Sequence, residues 1–270
     1  MKRDRRAVNS RHADILALLR QKREVKVEEL AKTFDVSLMT IRRDLKQLEE
    51  QGYISRTHGG ATTELRGQPA EERDQVALYR QLIARYAASL VKDGERLFVS
   101  GSTTALGVLD HLTGKSVTVI TNNGAAVGRA YPPGVDIILL GGLLRSRGHI
   151  MTGDYAMRNL LLAQADKAFI GCNGISPEGE VLYGVPTAIG INETMMGHAQ
   201  EYFILADHTK IGKTGTYASC SLEKRGVIVT DELAPADVVE RLRSVGMTVI
   251  QVRQEDFLEP YGTTGEADLS

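Results

Sequence analysis

The chain has 270 residues, 42% of them hydrophobic and 25% charged, with 33 Lys and Arg against 34 Asp and Glu. This balance excludes disordered, collagen-like and fibrous classes and leaves room for one large or two modest domains. Cys172 and Cys220, the two cysteines of the sequence, supply neither a disulfide framework nor a zinc spacing, and no apolar run is long enough to span a bilayer. The basic start from Met1 to Arg6 leads into polar residues and not into the apolar core of a secretory signal, so a cytoplasmic location is expected. The near-zero net charge hides an asymmetry, because residues 1–66 hold 15 basic and 10 acidic residues, which leaves 18 and 24 for the remainder. A basic head on an acidic body suits binding of a phosphate backbone by the head.

Ile15, Leu18 and Leu19 recur at helical spacing and predict a first helix over Arg11–Arg20. A second helix is predicted over Val27–Phe34, with Leu30, Ala31 and Phe34 facing inward. Asp35-Val36-Ser37 then makes a tight turn, and Ser37 is placed to cap a third helix over Leu38–Gln51 that buries Ile41, Leu45 and Leu48 and stops at Gly52. This is a helix-turn-helix, whose third helix would enter the major groove. Ser37, Met39 and Thr40 lie at the end of that helix where base edges are read, and Arg42, Arg43 and Lys46 are cations for guanine edges or phosphates. From Tyr53 to Ala61 the chain alternates and breaks at Gly59-Gly60, predicting a β-hairpin wing on which Arg56 and His58 face the DNA. A solvated helix face on a protein-interaction module is the competing reading of the same charges.

The segments Val27-Glu28-Glu29-Leu30-Ala31, Val36-Ser37, Thr40-Ile41-Arg42-Arg43-Asp44-Leu45, Leu48-Glu49, Gly52 and Arg56-Thr57-His58-Gly59-Gly60-Ala61 closely resemble the winged helix-turn-helix of the DeoR family of bacterial transcriptional regulators. The specificity lies in the combination of the Thr40–Leu45 run with the distal His-Gly-Gly-Ala.

These features define a winged helix-turn-helix domain over residues 1–61, followed by a polar linker over 62–75 that holds Gly67 and Pro69. An effector-sensing domain is expected over 76–252 and a polar tail over 253–270. The domain opens with a helix from about Val76 to Val91. Short apolar runs, as a set rich in β-branched residues, follow at Arg96–Ser100, Val117–Thr121, Val135–Leu140, Lys167–Gly171, Tyr202–Ala206, Gly226–Thr230 and Met247–Val252, alternating with helical stretches. Such runs predict a largely parallel sheet covered on both faces, with ligands outside the carboxyl ends of its strands.

Polar residues cluster at those ends. Gly101-Ser102-Thr103-Thr104 follows the first run and can be read equally as a phosphate cradle or as an ordinary capped turn. Thr121-Asn122 closes the second run, Gly141-Gly142 with Arg145 the third, Gly171-Cys172-Asn173-Gly174 the fourth, and Asp207 to Lys210 the fifth. Together they suit a small, hydroxylated anion, with Arg145 or Lys210 for a phosphate and Asn or Asp for hydroxyls. No dinucleotide fingerprint or P-loop follows any run, no metal or other cofactor is expected, and Cys172 reads as a packed thiol.

The body also resembles the sugar-phosphate-sensing domain of the DeoR family, at Gly101–Thr104, Thr121-Asn122, Leu140-Gly141-Gly142 with Arg145, Gly153, and Asp207 with Lys210 and Gly212. The resemblance implies a three-layer α/β fold related to ribose-5-phosphate isomerase, in which the Gly-Ser-Thr loop takes the phosphate. One stretch departs from the family: where many members carry an acidic residue and a Lys-Arg pair, this chain has Val185-Pro186-Thr187-Ala188-Ile189-Gly190-Ile191-Asn192, which leaves the effector's identity open, as well as any role of Glu193. The expected function is a DNA-binding repressor of a sugar or related carbon-metabolism operon, homo-oligomeric, with no membrane partner and no catalysis, controlled by a phosphorylated sugar. The alternative is an isomerase-type enzyme with a DNA-binding appendage, for which Asp207 or Glu193 would be the base. A scaffold that binds neither DNA nor ligand is a third reading.

Overall fold

The computed structural model describes residues 11–257, apart from 13, 16–17, 20–21, 23, 51–54, 58, 63–69, 145–148, 215–216 and 222–225. It divides into two compact units, residues 1–73 and 74–270.

In the first unit the described residues between 11 and 19 are helical, and Ile15 and Leu19 are fully buried. Strand β1 (Glu24–Lys26) runs directly into helix α1 (Val27–Thr33), and Phe34 to Ser37 turn the chain into helix α2 (Leu38–Glu50). Strands β2 (Ser55–Thr57) and β3 (Gly60–Thr62) form the expected hairpin, with β1 added antiparallel on the far side of β3. Gly60 sits in the middle of that sheet because a Cβ there would lie 2.5 Å from the Val25 carbonyl oxygen. Ile15, Leu19, Val25, Leu30, Ile41, Leu45, Leu48 and Ala61 make one core.

A buried ion pair ties the first helical segment to α2. Asp44 is 3% exposed, and Arg11 donates to it from Nε at 2.6 Å and from a terminal nitrogen at 3.2 Å. His12 Nε2 lies 3.1 Å from the same carboxylate. A carboxylate taken out of water is tolerated only with such partners, so the pair fixes the angle at which α2 leaves the core.

Helix α3 (Ala70–Ser89), most of which belongs to the second unit, starts earlier than Val76 because Ala70-Glu71-Glu72 are good helix formers that carry no apolar mark. Seven strands, β4 (Arg96–Val99), β5 (Val117–Thr121), β6 (Val135–Leu139), β9 (Ala165–Gly171), β12 (Ala199–Leu205), β14 (Gly226–Asp231) and β15 (Thr248–Val252), form one sheet in the order β15-β14-β12-β9-β4-β5-β6. Every pairing in it is parallel. Between these lie two short antiparallel additions: β7 (Leu143–Leu144) with β8 (Met151–Thr152), and the set β10 (Gly174–Ile175), β11 (Glu180–Tyr183) and β13 (Tyr217–Ser221).

The two-residue period of the strands builds the layers. Leu97, Val99, Phe169, Phe203, Leu205 and Val229 face one side, where they pack with Tyr79, Ile83 and Ala87 of α3 and with Ala105 and Leu106 of helix α4 (Thr103–Gly107). Phe98, Ala168, Ile170, Ile204 and Ile228 face the other side and meet helices α5 (Asp154–Leu161), α6 (Pro186–Gly197) and α7 (Ala236–Ser244) through Leu160, Met195 and Leu242. The body is therefore a three-layer α/β domain.

Asp44→Ala removes the carboxylate that Arg11 and His12 share, and is expected to destabilise the head by about 2 to 3 kcal/mol. Thermal unfolding of the full chain that shows no earlier melting for this variant would refute the anchoring role.

Candidate functional site

In the head, α2 begins as a capped helix: Thr40 N–H donates to Ser37 Oγ at 3.1 Å, and the Ser37 and Thr40 hydroxyls lie 2.9 Å apart. The cap turns the first residues of α2 outward. Met39 is 72% exposed, Leu38, Arg42 and Arg43 are also exposed, and Thr40 is half-buried. Ser37, Met39, Arg42 and Arg43 thus share an open surface at one end of the helix, apolar beside cationic, as groove contacts to thymine methyls, guanine edges and phosphates require. The side chains of Lys46 and Arg56, and His58 altogether, lie outside the described residues.

In the body, chain order along the sheet reverses between β4 and β9. The loops after these two strands leave in opposite directions and open a crevice between them, the position at which doubly wound sheets bind ligands. A cleft of about 980 Å³ occupies that position. One side of it is Ser100-Gly101-Ser102-Thr103 after β4, and the facing side is Gly171-Cys172-Asn173 after β9. The two loops touch: Gly171 N–H donates to Ser100 Oγ at 2.9 Å, and a Cβ on Gly171 would fall 2.0 Å from Ser102 Oγ, so only glycine admits the loop here. Asn122 and Lys210 add to the polar part of the lining, with Thr152, Tyr183, Thr187 and Asn192. Leu143, Leu144, Ile150, Val185, Pro186 and Ala188 form an apolar wall.

Among the residues expected at the effector site, Gly101, Ser102, Thr103, Asn122 and Lys210 line the cleft. Ser102 Oγ also caps α4, accepting from Ala105 N–H at 3.0 Å. Asn122 is 3% exposed; its Nδ2 donates to the Met151 carbonyl at 3.3 Å, and its buried Oδ1 has no hydrogen-bond partner among the described residues. Four other expected residues stand behind the lining. Thr104 lies on the buried side of α4. Thr121 donates to the Val99 carbonyl at 2.6 Å and accepts from Asn123 N–H at 3.0 Å, so its hydroxyl locks β4 to β5. Gly141 and Gly142 supply the positive φ angles, 71° and 99°, that bend the chain from β6 into β7. Arg145 lies outside the described residues.

Asp207 is also behind the lining. It is 0% exposed and accepts from Arg80 Nε at 2.7 Å, from Thr209 N–H at 3.2 Å and from the Thr209 hydroxyl. Burial alone would push its pKa up, but the bonds from Thr209 and Arg80 and the charges of Lys210 and Arg80 outweigh it and hold the carboxyl below its ordinary value. Neighbouring Asp231, equally buried, accepts from His208 N–H at 2.7 Å and from Leu233 N–H at 3.1 Å, with His208 Nδ1 at 2.9 Å; there burial prevails and the pKa is raised. Both carboxylates shape the loops at the strand ends and neither faces the cleft. Glu193 accepts from the Ser219 hydroxyl at 2.6 Å and is likewise absent from the lining.

Gly171, Cys172 and Asn173, read from the sequence as one of the strand ends around the ligand, line the cleft, whereas Asn192 was not expected there. Burial pushes the Cys172 thiol up to about 12, which keeps it protonated. Asn173 could be found at a strand end, whereas Asn192 sits inside α6 and only the packing of that helix brings it to the cleft. The departing segment Val185–Asn192 proves to be a wall of the cleft, carrying Val185, Pro186, Thr187, Ala188 and Asn192. Among the described residues no three His, Cys, Asp or Glu side chains gather as a metal site would require.

The DeoR-like helix-turn-helix domain matches residues 11–64, and the DeoR C terminal sensor domain matches residues 77–232. An HTH-type transcriptional repressor, GlcR, of Bacillus subtilis is 32% identical over 90% of this chain and 95% of its own length. The HTH-type transcriptional repressor CsqR of Escherichia coli is 30% identical over 92% of this chain and 97% of its own. The glycerol-3-phosphate regulon repressor of Escherichia coli is 30% identical over 86% and 94%. The ribose 5-phosphate isomerase A of Methanocaldococcus jannaschii superimposes with a TM-score of 0.37 at 18% identity, over 50% of this chain and 54% of that one. Both units match in the order in which they stand here and together span most of the sequence, so the chain belongs to the DeoR family of transcriptional regulators, with a DNA-binding helix-turn-helix and a sensor domain.

Proposed function

We propose that the protein is a repressor of an operon of carbohydrate or related carbon metabolism, that α2 reads its operator, and that the cleft at the β4/β9 reversal takes a phosphorylated effector. The observation that carries the reading is the pairing of Lys210 with the Gly101-Ser102-Thr103 loop on one cleft: a cation and hydroxyl donors facing a space of metabolite size. Asn122 Oδ1 supplies an acceptor for a hydroxyl of the same ligand. The names of the relatives, among them a glycerol-3-phosphate regulon repressor, agree with this chemistry. Binding without turnover is favoured because the carboxylates considered as bases, Asp207 and Glu193, are engaged elsewhere and do not line the cleft. The protein acts where its operator is, in the cytoplasm; no described helix is long and apolar enough to cross a membrane. It acts as a homo-oligomer, because one short recognition helix reads few base pairs and paired heads match a symmetric operator.

For the head, Arg42→Ala or Arg43→Ala is expected to weaken operator binding, by about 1–3 kcal/mol at any position that reads a base, with relaxed sequence preference. Gel-shift titrations at fixed salt that return wild-type affinity for both variants would remove α2 from the interface.

For the body, pentose and hexose phosphates and glycerol 3-phosphate are screened by thermal shift, where a ligand of the folded state raises the melting temperature with its concentration. Lys210→Met is expected to lower affinity for the best binder about tenfold or more, the scale of one charge-assisted hydrogen bond. Thr103→Val is expected to weaken the same binding to a smaller degree. Both variants should keep the melting temperature of the ligand-free protein, because Lys210 stands 3.9 Å from Asp207 and Arg80 holds that carboxylate more closely. Conversion of any of these phosphates to product would favour the enzyme instead.

A further inference from the structure

Helix α3 grips the strand-end loops through two neighbouring side chains. Tyr79 donates to Glu232 Oε1 at 2.9 Å and sets its ring edge-on to His208, with centroids 5.9 Å apart. Arg80 donates to Asp207 Oδ2 at 2.7 Å. That same Oδ2 lies 3.9 Å from Lys210 Nζ, beyond hydrogen-bond length. A single buried carboxylate oxygen is therefore claimed by two cations, one from α3 at full contact and one from the cleft lining held off.

A carboxylate with no exposure needs a cation close by. While Arg80 meets that need, the Lys210 ammonium is left to face the cleft. Were Arg80 removed, Asp207 would draw Lys210 inward, since the backbone and hydroxyl of Thr209 satisfy hydrogen bonds but carry no compensating charge. We propose that Arg80 is a positioning residue of the effector site: by neutralising Asp207 it keeps Lys210 available for the phosphate, and it makes the hold of α3 on the sensor domain depend on what Lys210 binds. The proposal rests on the reading that the cleft takes a phosphorylated ligand. Its corollary is reciprocal, as any linkage must be: an anion that takes Lys210 leaves Asp207 more dependent on Arg80, so ligand binding and the α3 contact strengthen one another.

The test titrates inorganic phosphate and glycerol 3-phosphate into the full-length protein by calorimetry. Arg80→Met is expected to weaken both about tenfold, the scale of one charge-assisted bond, with the ligand-free protein still folded because Arg80 lies at 40% exposure on the helix surface. Arg80→Lys restores the charge and is expected to bind both probes nearly as wild type does. In the double variant Arg80→Met with Asp207→Asn, the neutral amide no longer attracts Lys210, and affinity is expected to recover above that of Arg80→Met alone. Wild-type affinity in Arg80→Met overturns the proposal while leaving the effector reading standing. A wild-type protein that binds neither probe overturns the effector reading, and this proposal falls with it. Should the double variant fail to fold, Arg80→Lys decides: affinity like wild type supports the charge role, and affinity as low as that of Arg80→Met overturns it.

Discussion

A parallel sheet grows outward from its starting strand in one direction until the chain turns back to the other side, and that reversal between β4 and β9 governs the sensor domain. Right-handed crossovers then put α4 on one face and α6 and α7 on the other, so the loops after the two neighbouring strands part company. The crevice needs no dedicated insertion to exist, since it follows from connectivity. What the sequence adds is access and chemistry: Gly171 lets Ser102 approach to a distance that no Cβ would permit, and Asn122 and Lys210 bring an acceptor and a cation from strands on either side.

Among the described residues three buried carboxylates hold the elements around the two candidate surfaces, and each is satisfied differently. Asp44 binds Arg11 and His12, Asp207 binds Arg80 and Thr209, and Asp231 takes His208 together with two backbone N–H groups. The opposite pKa directions of the last two record the difference. Where a guanidinium stands against the carboxylate, the charged form is favoured despite desolvation, and where the donors are mostly backbone amides, desolvation prevails. Asp207 is therefore the member of the pair whose charge is firmly retained, and a neighbour that can change its balance is a cation with somewhere else to go. Lys210, at the edge of the cleft, is that cation.

The layered architecture was legible in the amino-acid sequence because each of the seven strands of the main sheet carries a short apolar run, and all seven runs appear in the parallel sheet in the predicted places. The helix-turn-helix was legible for a similar reason: Ile41, Leu45 and Leu48 repeat at helical spacing and are buried, and Ser37 caps. Apart from the hairpin of β2 and β3, marked by its Gly59-Gly60 break, elements of two or three residues were not. β1, β7, β8 and β10 are too short to show alternation, and their existence depends on partners far along the chain. The site was legible as a set of strand ends but not as a surface. Within Gly101–Thr104, one rotation along the helix start sends Thr103 toward the cleft and Thr104 into the core, and spacing alone does not choose between them. Asp207 looked like a ligand contact because it is polar at a strand end. Its partner Arg80 lies on a helix far earlier in the chain, and a contact of that separation leaves no mark in local pattern.

Regulation requires more than a filled cleft. A ligand changes affinity for DNA only through a difference in its interaction with two arrangements of the protein, and known couplings of this kind are typically about 1–3 kcal/mol. One charge-assisted hydrogen bond between Arg80 and Asp207 is of that size, so a single contact that strengthens or weakens with the position of Lys210 is sufficient in magnitude. Its location is equally suited, because α3 begins at Ala70, next to the head in sequence, and is packed along one face of the sheet by Tyr79, Ile83 and Ala87. The apolar packing gives α3 its place whatever the ligand state, since burial of those side chains does not respond to charge. The polar pair beside it can respond, so on the proposed reading an anion in the cleft acts on how α3 is held and leaves to the core whether it is held.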